Sequence, residues 1–159
     1  MLQIGQPAPD FTLTNQNGEA VTLSSLRGKR VVLFAFPKAF TAGCDAQACT
    51  FRDELPQISA TNAIVFGVSA DSPETLKKWK QSKKLNYDLL SDSTHAMLEA
   101  WGAWGIALGS LIRLPIAATR SYWVIDENGI LVDQQIGVGP GESVTKAIAS
   151  VQRLNATPA

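Results

Sequence analysis

A chain of 159 residues, 45% hydrophobic and 18% charged, has the size of one domain and can bury roughly 70% of its unfolded surface, enough for a core without a covalent staple. Its fourteen basic and fourteen acidic side chains cancel, and like charges run no further than pairs such as Lys77 with Lys78 and Lys83 with Lys84, which leaves no electrostatic footprint for nucleic acid or an anionic membrane. The opening MLQIGQPAPDFTL lacks a basic leader before an apolar core, and the stretch from Ile106 to Ala118 is broken by Arg113 and Pro115 and too short for a span of roughly 20 residues, so one cytoplasmic domain over residues 1–159 is expected.

The first elements alternate. DFTLTNQNGEAVTL has two strand-like halves around Asn17-Gly18, a dipeptide that tolerates the positive φ of a tight turn, and predicts an N-terminal β-hairpin. VVLFAF, residues 31–36, and AIVFGVS, residues 63–69, are continuous apolar runs of strand length, the pattern of central strands covered on both faces. Between them, the segment after Gly43 reads as a helix to about Leu55, stopped by Pro56. Ser72 followed by Pro73 is a helix start, so a second helix follows the second strand. SYWVID and ILVDQQI flank a turn containing Asn128-Gly129 and predict a further hairpin, and GESVTKAIASVQRL closes as an amphipathic helix. Two parallel strands joined by a crossover helix, then an antiparallel pair and a last helix, make an α/β thioredoxin-like fold: a central mixed sheet flanked by helices, with the N-terminal β-hairpin added.

The two cysteines, Cys44 and Cys49, stand five positions apart in the first of these helices. In a reducing compartment such thiols are free, catalytic or metal-bound rather than permanently bridged. On an intact helix five residues advance about 7.5 Å and turn about 140°, which sets the Cα atoms about 8.5 to 9 Å apart. A disulfide needs Cα atoms within about 7 Å, so a bond between the two requires part of the helix to unwind. That is the behaviour of a redox switch. Cys44 also falls in the first turn, where unpaired N–H groups and the helix dipole favour a thiolate. Asp45 opposes this by repulsion, so a cation from elsewhere is needed; Arg120, just ahead of a buried strand, is the candidate.

The segment PKAFTAGC, with Pro37, Thr41 and Cys44, resembles the Pro-x-x-x-Thr-x-x-Cys motif of the peroxiredoxins, and the second cysteine five residues on resembles the bacterioferritin comigratory protein or PrxQ subfamily. The likeness extends to the opening GQPAPDFTL, to GVSADSPETLKKW, to LLSD and to TRSYWVID. It implies a thiol peroxidase without a cofactor, in which Cys44 attacks hydrogen peroxide or an organic hydroperoxide and becomes a sulfenic acid. Cys49 then resolves it as an intramolecular disulfide, and thioredoxin or a similar dithiol restores the pair. Thr41, the Cys44 N–H and Arg120 would supply donors to the peroxide, while Pro37 would shield the pocket. The resemblance implies a monomer. Ala42 departs from the family, which usually has a second proline there, and the segment Ala103–Ala118 is unusually apolar: it either borders the active-site opening, where it would favour bulky peroxides or cover a dimer contact, or caps the core.

Read singly, these residues have ordinary explanations. Two core thiols are as common as a redox pair, Thr41 can be a helix cap and Arg120 a salt-bridge partner. His95 with two cysteines falls short of a tetrahedral zinc site, and Trp101 and Trp104 read as packing residues. A thioredoxin-like dithiol oxidoreductase would share the fold but normally spaces its thiols as Cys-x-x-Cys, and a non-enzymatic binding protein would not need the full set of Pro37, Thr41, Cys44, Cys49 and Arg120.

Overall fold

In the computed structural model, which describes residues 2–108 and 112–156, the two apolar runs become β3 (Arg30–Ala35) and β4 (Ala63–Ser69), paired in parallel from Arg30↔Ala63 to Ala35↔Val68. Both faces of β3 are covered, which explains its unbroken hydrophobicity. Val32, Phe34 and Phe36 enter one core, while Val31, Leu33 and Ala35 enter the other. The N-terminal hairpin is β1 (Thr12–Asn15) with β2 (Ala20–Thr22), turned by Gly18 at φ 80°. The second hairpin is β8 (Ser121–Ile125) with β9 (Leu131–Ile136), as expected.

One strand of the main sheet went unread in the sequence. β5 (Asp88–Ser91) pairs in parallel with β4 and antiparallel with β1, so three strands, not two, run parallel. Four residues with polar ends carry too little pattern to be told from a loop. The seven-stranded mixed sheet has the order β2-β1-β5-β4-β3-β8-β9. On one face lie α1 (Ala42–Ser59), α2 (Pro73–Lys83) and α4 (Pro140–Ala156), over a core in which Phe34 stacks on Phe51 at 4.5 Å and Phe36 packs on Trp79 at 4.8 Å. Gly67 leaves room for those rings, since a Cβ there would lie 2.8 Å from Phe34 Cζ and 3.1 Å from Phe36 Cε1. On the opposite face lie α3 (Ala96–Ala100) and a separate two-stranded sheet, β6 (Trp104–Leu108) with β7 (Ile112–Ala118).

That small sheet is the apolar segment of residues 103–118, of which 109–111 lie outside the described residues. Its ends, Ala103 and Ala118, are buried in the second core with Trp101 and Trp123, the layer opposite Cys44, whereas Ile116 is 70% exposed. Both ends of the segment are thus rooted in the second core, and Thr119 and Arg120 follow it directly in the chain.

The first helix corrects an expectation. Pro56 does not stop α1, which continues to Ser59. A proline inside a helix leaves the carbonyl four residues earlier without its N–H partner. Here that carbonyl, of Arg52, accepts from Asn86 Nδ2 at 3.1 Å, so the defect is filled from the loop before β5. At the other end of the chain's second helix the reading holds: Ser72 Oγ accepts from Thr75 N at 3.2 Å, with Pro73 in the first turn.

Asp88 ties α2 to the sheet, accepting from Lys80 Nζ at 2.9 Å and from Gln16 Nε2 at 2.9 Å. Partial burial pushes its carboxyl up, but hydrogen bonds from Lys80 and Gln16 and the charge of Lys80 outweigh that, and the net shift is downward. A carboxylate whose pKa is lower folded than unfolded stabilises the fold above its ordinary value of about 3.9, and loses that contribution as pH falls through the folded value. Asp88→Asn is therefore expected to flatten the acid limb of the urea midpoint below about pH 4. An acid limb identical to that of the parent chain would remove Asp88 from the account.

Candidate active site

Antiparallel pairing assembles the site. β8 runs beside β3 with Ala35 opposite Ser121, which brings the start of β8 to the end of β3. Arg120, just before β8, thus stands beside the loop 36–41 that leads into α1, although 76 residues separate it from Cys44. Its Nη2 donates to Cys44 Sγ at 3.5 Å and its Nη1 to Gln47 Oε1 at 2.7 Å. Gln47 is fully buried and passes the contact on, donating to Ser143 Oγ at 3.0 Å, while Ser143 donates to the Pro140 carbonyl at 2.7 Å. The guanidinium is therefore aimed from behind by α1 and α4 together.

Cys44 is buried, with no exposed surface, and lies in the first turn of α1. The first helical bond runs from Asp45 N to the Thr41 carbonyl at 2.8 Å, so the N–H groups of Ala42, Gly43 and Cys44 have no partner within the helix. Such donors, the helix dipole and a guanidinium on the sulfur all favour an anion at this point. Gly43 makes the approach of Arg120 possible: a Cβ there would lie 2.9 Å from Arg120 Nη2.

Asp45 does not oppose the arrangement as its neighbouring position suggested. Its carboxylate turns to α2, accepting from Trp79 Nε1 at 2.7 Å and pairing with Lys83 Nζ at 3.5 Å. Thr41 holds the N-cap position with extended backbone, but its side chain makes no cap bond. Its hydroxyl donates to the Lys38 carbonyl at 2.7 Å instead, so the oxygen is left as an acceptor rather than the donor expected. Pro37, partly buried, opens the loop, and Ala39 N anchors it to Asp71 Oδ2 at 2.9 Å, an oxygen also held by Ser69 Oγ at 2.8 Å.

Cys49 is partly buried, and both thiols are free on one continuous helix. It lies on the side of α1 that meets Arg52 and Tyr87, away from Arg120. Burial, and secondarily the Cys49 sulfur, push the Tyr87 hydroxyl well above the ordinary phenol range, so it remains a donor to the Ala48 carbonyl at 2.7 Å.

The structure thus brings Pro37, Thr41, Cys44 and Arg120 to one place and keeps Cys49 on another face of α1. Gln47, Ser143 and Asp71 went unread in the sequence. Gln47, three residues after Cys44, could have been found from helical spacing; Ser143 and Asp71 carry no local signal. Among the described residues, no group of three or more histidine, cysteine or acidic side chains is placed to hold a metal, and no helix is long and apolar enough to cross a membrane.

Comparison with known proteins gives this geometry a family. Residues 4–134 match the model of the AhpC/TSA family. The chain is 34% identical over 154 residues to peroxiredoxin Bcp of Bacillus subtilis, covering 97% of this chain and 98% of that one. This chain belongs to the AhpC/TSA family, among its Bcp-type peroxiredoxins. It is similar also to peroxiredoxin Bcp of Escherichia coli, 41% identical over 104 residues that cover 65% of this chain and 67% of the relative. The crystal structure of peroxidoxin BcpB from Mycobacterium tuberculosis superposes with a TM-score of 0.86 at 29% identity, covering 97% of this chain and 99% of that one. The thioredoxin-like α/β fold expected from the sequence is therefore the fold of this peroxiredoxin, and its family supports a peroxidase, an oxidoreductase acting on hydroperoxides.

Proposed function

We propose that this peroxiredoxin reduces hydrogen peroxide and organic hydroperoxides through Cys44, with Cys49 as the resolving thiol and thioredoxin or a similar dithiol as electron donor. The observation that carries the proposal is the Arg120 guanidinium, 3.5 Å from the buried Cys44 sulfur at the open start of α1. The Cys44 thiolate attacks the terminal oxygen of the hydroperoxide. A sulfur–oxygen bond forms, the oxygen–oxygen bond breaks, and the departing oxygen takes a proton and leaves as water or an alcohol. Charge builds on that oxygen, and Arg120 with the free N–H groups of the first turn stabilises it. Thr41, its own proton given to Lys38, accepts from the peroxide hydroxyl. Pro37 fixes the loop without adding charge.

The sulfenic acid on Cys44 is the first step of cysteine oxidation and condenses with a thiol. Cys49 attacks its sulfur, a disulfide forms and water leaves. Two electrons from the dithiol reductant restore both thiols. Both thiols of the proposed disulfide belong to one chain, so the chemistry as proposed calls on no second copy.

Substoichiometric hydrogen peroxide with a 1,3-dione trap tests this reading. Cys49→Ser is expected to yield the adduct on Cys44, while the parent chain yields a Cys44–Cys49 disulfide that thioredoxin reopens. An adduct on Cys49 with Cys44 unmodified would overturn the assignment.

Gly43→Ala offers a second test. Alanine is the better helix former by about 1 kcal/mol, so the thermal midpoint should hold or rise. The new methyl would lie 2.9 Å from Arg120 Nη2, too close for both to stay, so that flexible end must shift from the sulfur and Cys44 oxidation should slow about tenfold or more. Unchanged stopped-flow rates would show that the placement of Arg120 at the sulfur is dispensable.

A further inference from the structure

Phe40 has no place in the chemistry above, yet it stands at its edge. Its side chain is 50% exposed, and its backbone is left-handed, with φ 65°. A bulky residue in that region is an outlier, and such outliers persist where the surroundings fix them and collect at functional sites. The other non-glycine residues of positive φ among the described residues, Asn62, Lys84 and His95, are polar and flank helix ends. The corner at Phe40 is pinned on both sides, by Ala39 N on Asp71 at 2.9 Å and by the Thr41 hydroxyl on Lys38 at 2.7 Å. Its ring makes none of the stacked contacts that bury Phe34, Phe36 and Phe51.

Distance and mechanism say what the ring can meet. Phe40 immediately precedes the hydrogen-bonded turn from Thr41 to Asp45, so its Cα lies within about 9 Å of the Cys44 Cα. A thiolate displacing oxygen from oxygen attacks in line, so the carbon group of an organic hydroperoxide points away from the sulfur. The sulfur is fully buried, so that group is directed outward, and Phe40 is a half-exposed apolar residue on the loop that leads into the sulfur's helix.

We propose that Phe40 is a specificity-determining residue: its ring forms an apolar wall at the entrance to Cys44 against which the carbon substituent of an alkyl or aryl hydroperoxide packs. This rests on the peroxidase reading. Hydrogen peroxide has no such substituent and serves as the internal reference. Phe40→Asn and Phe40→Gly both suit a left-handed backbone and remove the ring, whereas Phe40→Leu keeps an apolar side chain.

Stopped-flow rates of Cys44 oxidation by cumene hydroperoxide and by hydrogen peroxide decide it. The first two variants should lose about tenfold in the ratio of the two rate constants, with the hydrogen peroxide rate within about twofold of the parent, and Phe40→Leu should recover part of the ratio. Their thermal midpoints should hold or rise, because the strained corner relaxes. An unchanged ratio, or both rates falling together, would overturn the wall. If hydrogen peroxide failed to oxidise Cys44 in the parent chain, the peroxidase reading itself would fall and the inference with it.

Discussion

Cys44→Ser is expected to end peroxide consumption, and Arg120→Ala to slow Cys44 oxidation by about 10² to 10³, the usual loss when a donor to developing charge is removed. The two variants separate nucleophile from support. Serine cannot replace a thiolate near neutral pH, so no residual turnover should be measurable with dithiol reductant in excess. Arginine removal leaves the sulfur in place but takes away its cation 3.5 Å distant, and it also strands the buried Gln47 carbonyl oxygen. An unpaired buried acceptor costs about 1 to 3 kcal/mol of stability, against about 2.7 to 4 kcal/mol for the rate loss. The catalytic loss should therefore exceed the loss in unfolding free energy. Equal losses would make Arg120 a structural tie between α1 and α4, and turnover in Cys44→Ser would move the nucleophile elsewhere.

Amide exchange over residues 44–51 is expected to quicken by orders of magnitude when the disulfide forms, with β3 and β4 unchanged. Both cysteines lie on one helix, Ala42–Ser59, where a separation of five residues sets Cα atoms about 8.5 to 9 Å apart. Side-chain rotation cannot bring them within the roughly 7 Å that a disulfide tolerates, so at least one turn must open. Opening would disrupt helix bonds and the packing of buried Ala48 and Phe51, and in the proposed cycle its rate would set how long the Cys44 sulfenic acid faces a second peroxide. Equal protection in both forms, with mass spectrometry confirming the Cys44–Cys49 bond, would defeat this mechanism.

Much of this arrangement was legible in the chain itself because it rests on local signals. The runs VVLFAF and AIVFGVS became β3 and β4, the Asn17-Gly18 and Asn128-Gly129 turns became hairpins, and Ser72-Pro73 opened α2. Cys44 at a helix start and Arg120 ahead of a buried strand follow from similar signals, and their meeting needed only the antiparallel placement of β8. Most of what escaped depends on partners distant in sequence. Pro56 read as a stop because the amide that fills its gap comes from Asn86, 34 residues beyond the carbonyl it satisfies. Asp45 read as a repulsive neighbour because Trp79 and Lys83 are adjacent only once α2 has packed. Thr41 read as a cap and donor because nothing local says its hydroxyl turns back to Lys38. The Gln47–Ser143 tie behind Arg120 spans 96 residues and has no trace in the motif.

The bolt at Pro56 bears on timing. Arg52 is held there twice, by Asn86 on its carbonyl and by its own Nη1 on the Lys83 carbonyl at 2.6 Å, so the last two turns of α1 are fastened to the loop before β5 and the end of α2. If the first turns open for the proposed disulfide, this fastened part would remain as a helical seed. A helix grown from nothing must first nucleate, with an equilibrium penalty of about 10⁻³, but one extended from an existing end adds residues in about a nanosecond each. On reduction of the proposed disulfide, recovery of the Cys44 geometry would then need propagation alone. In the proposed cycle the delay after oxidation would then be set by the arrival and chemistry of the reductant, with refolding of α1 adding little to it.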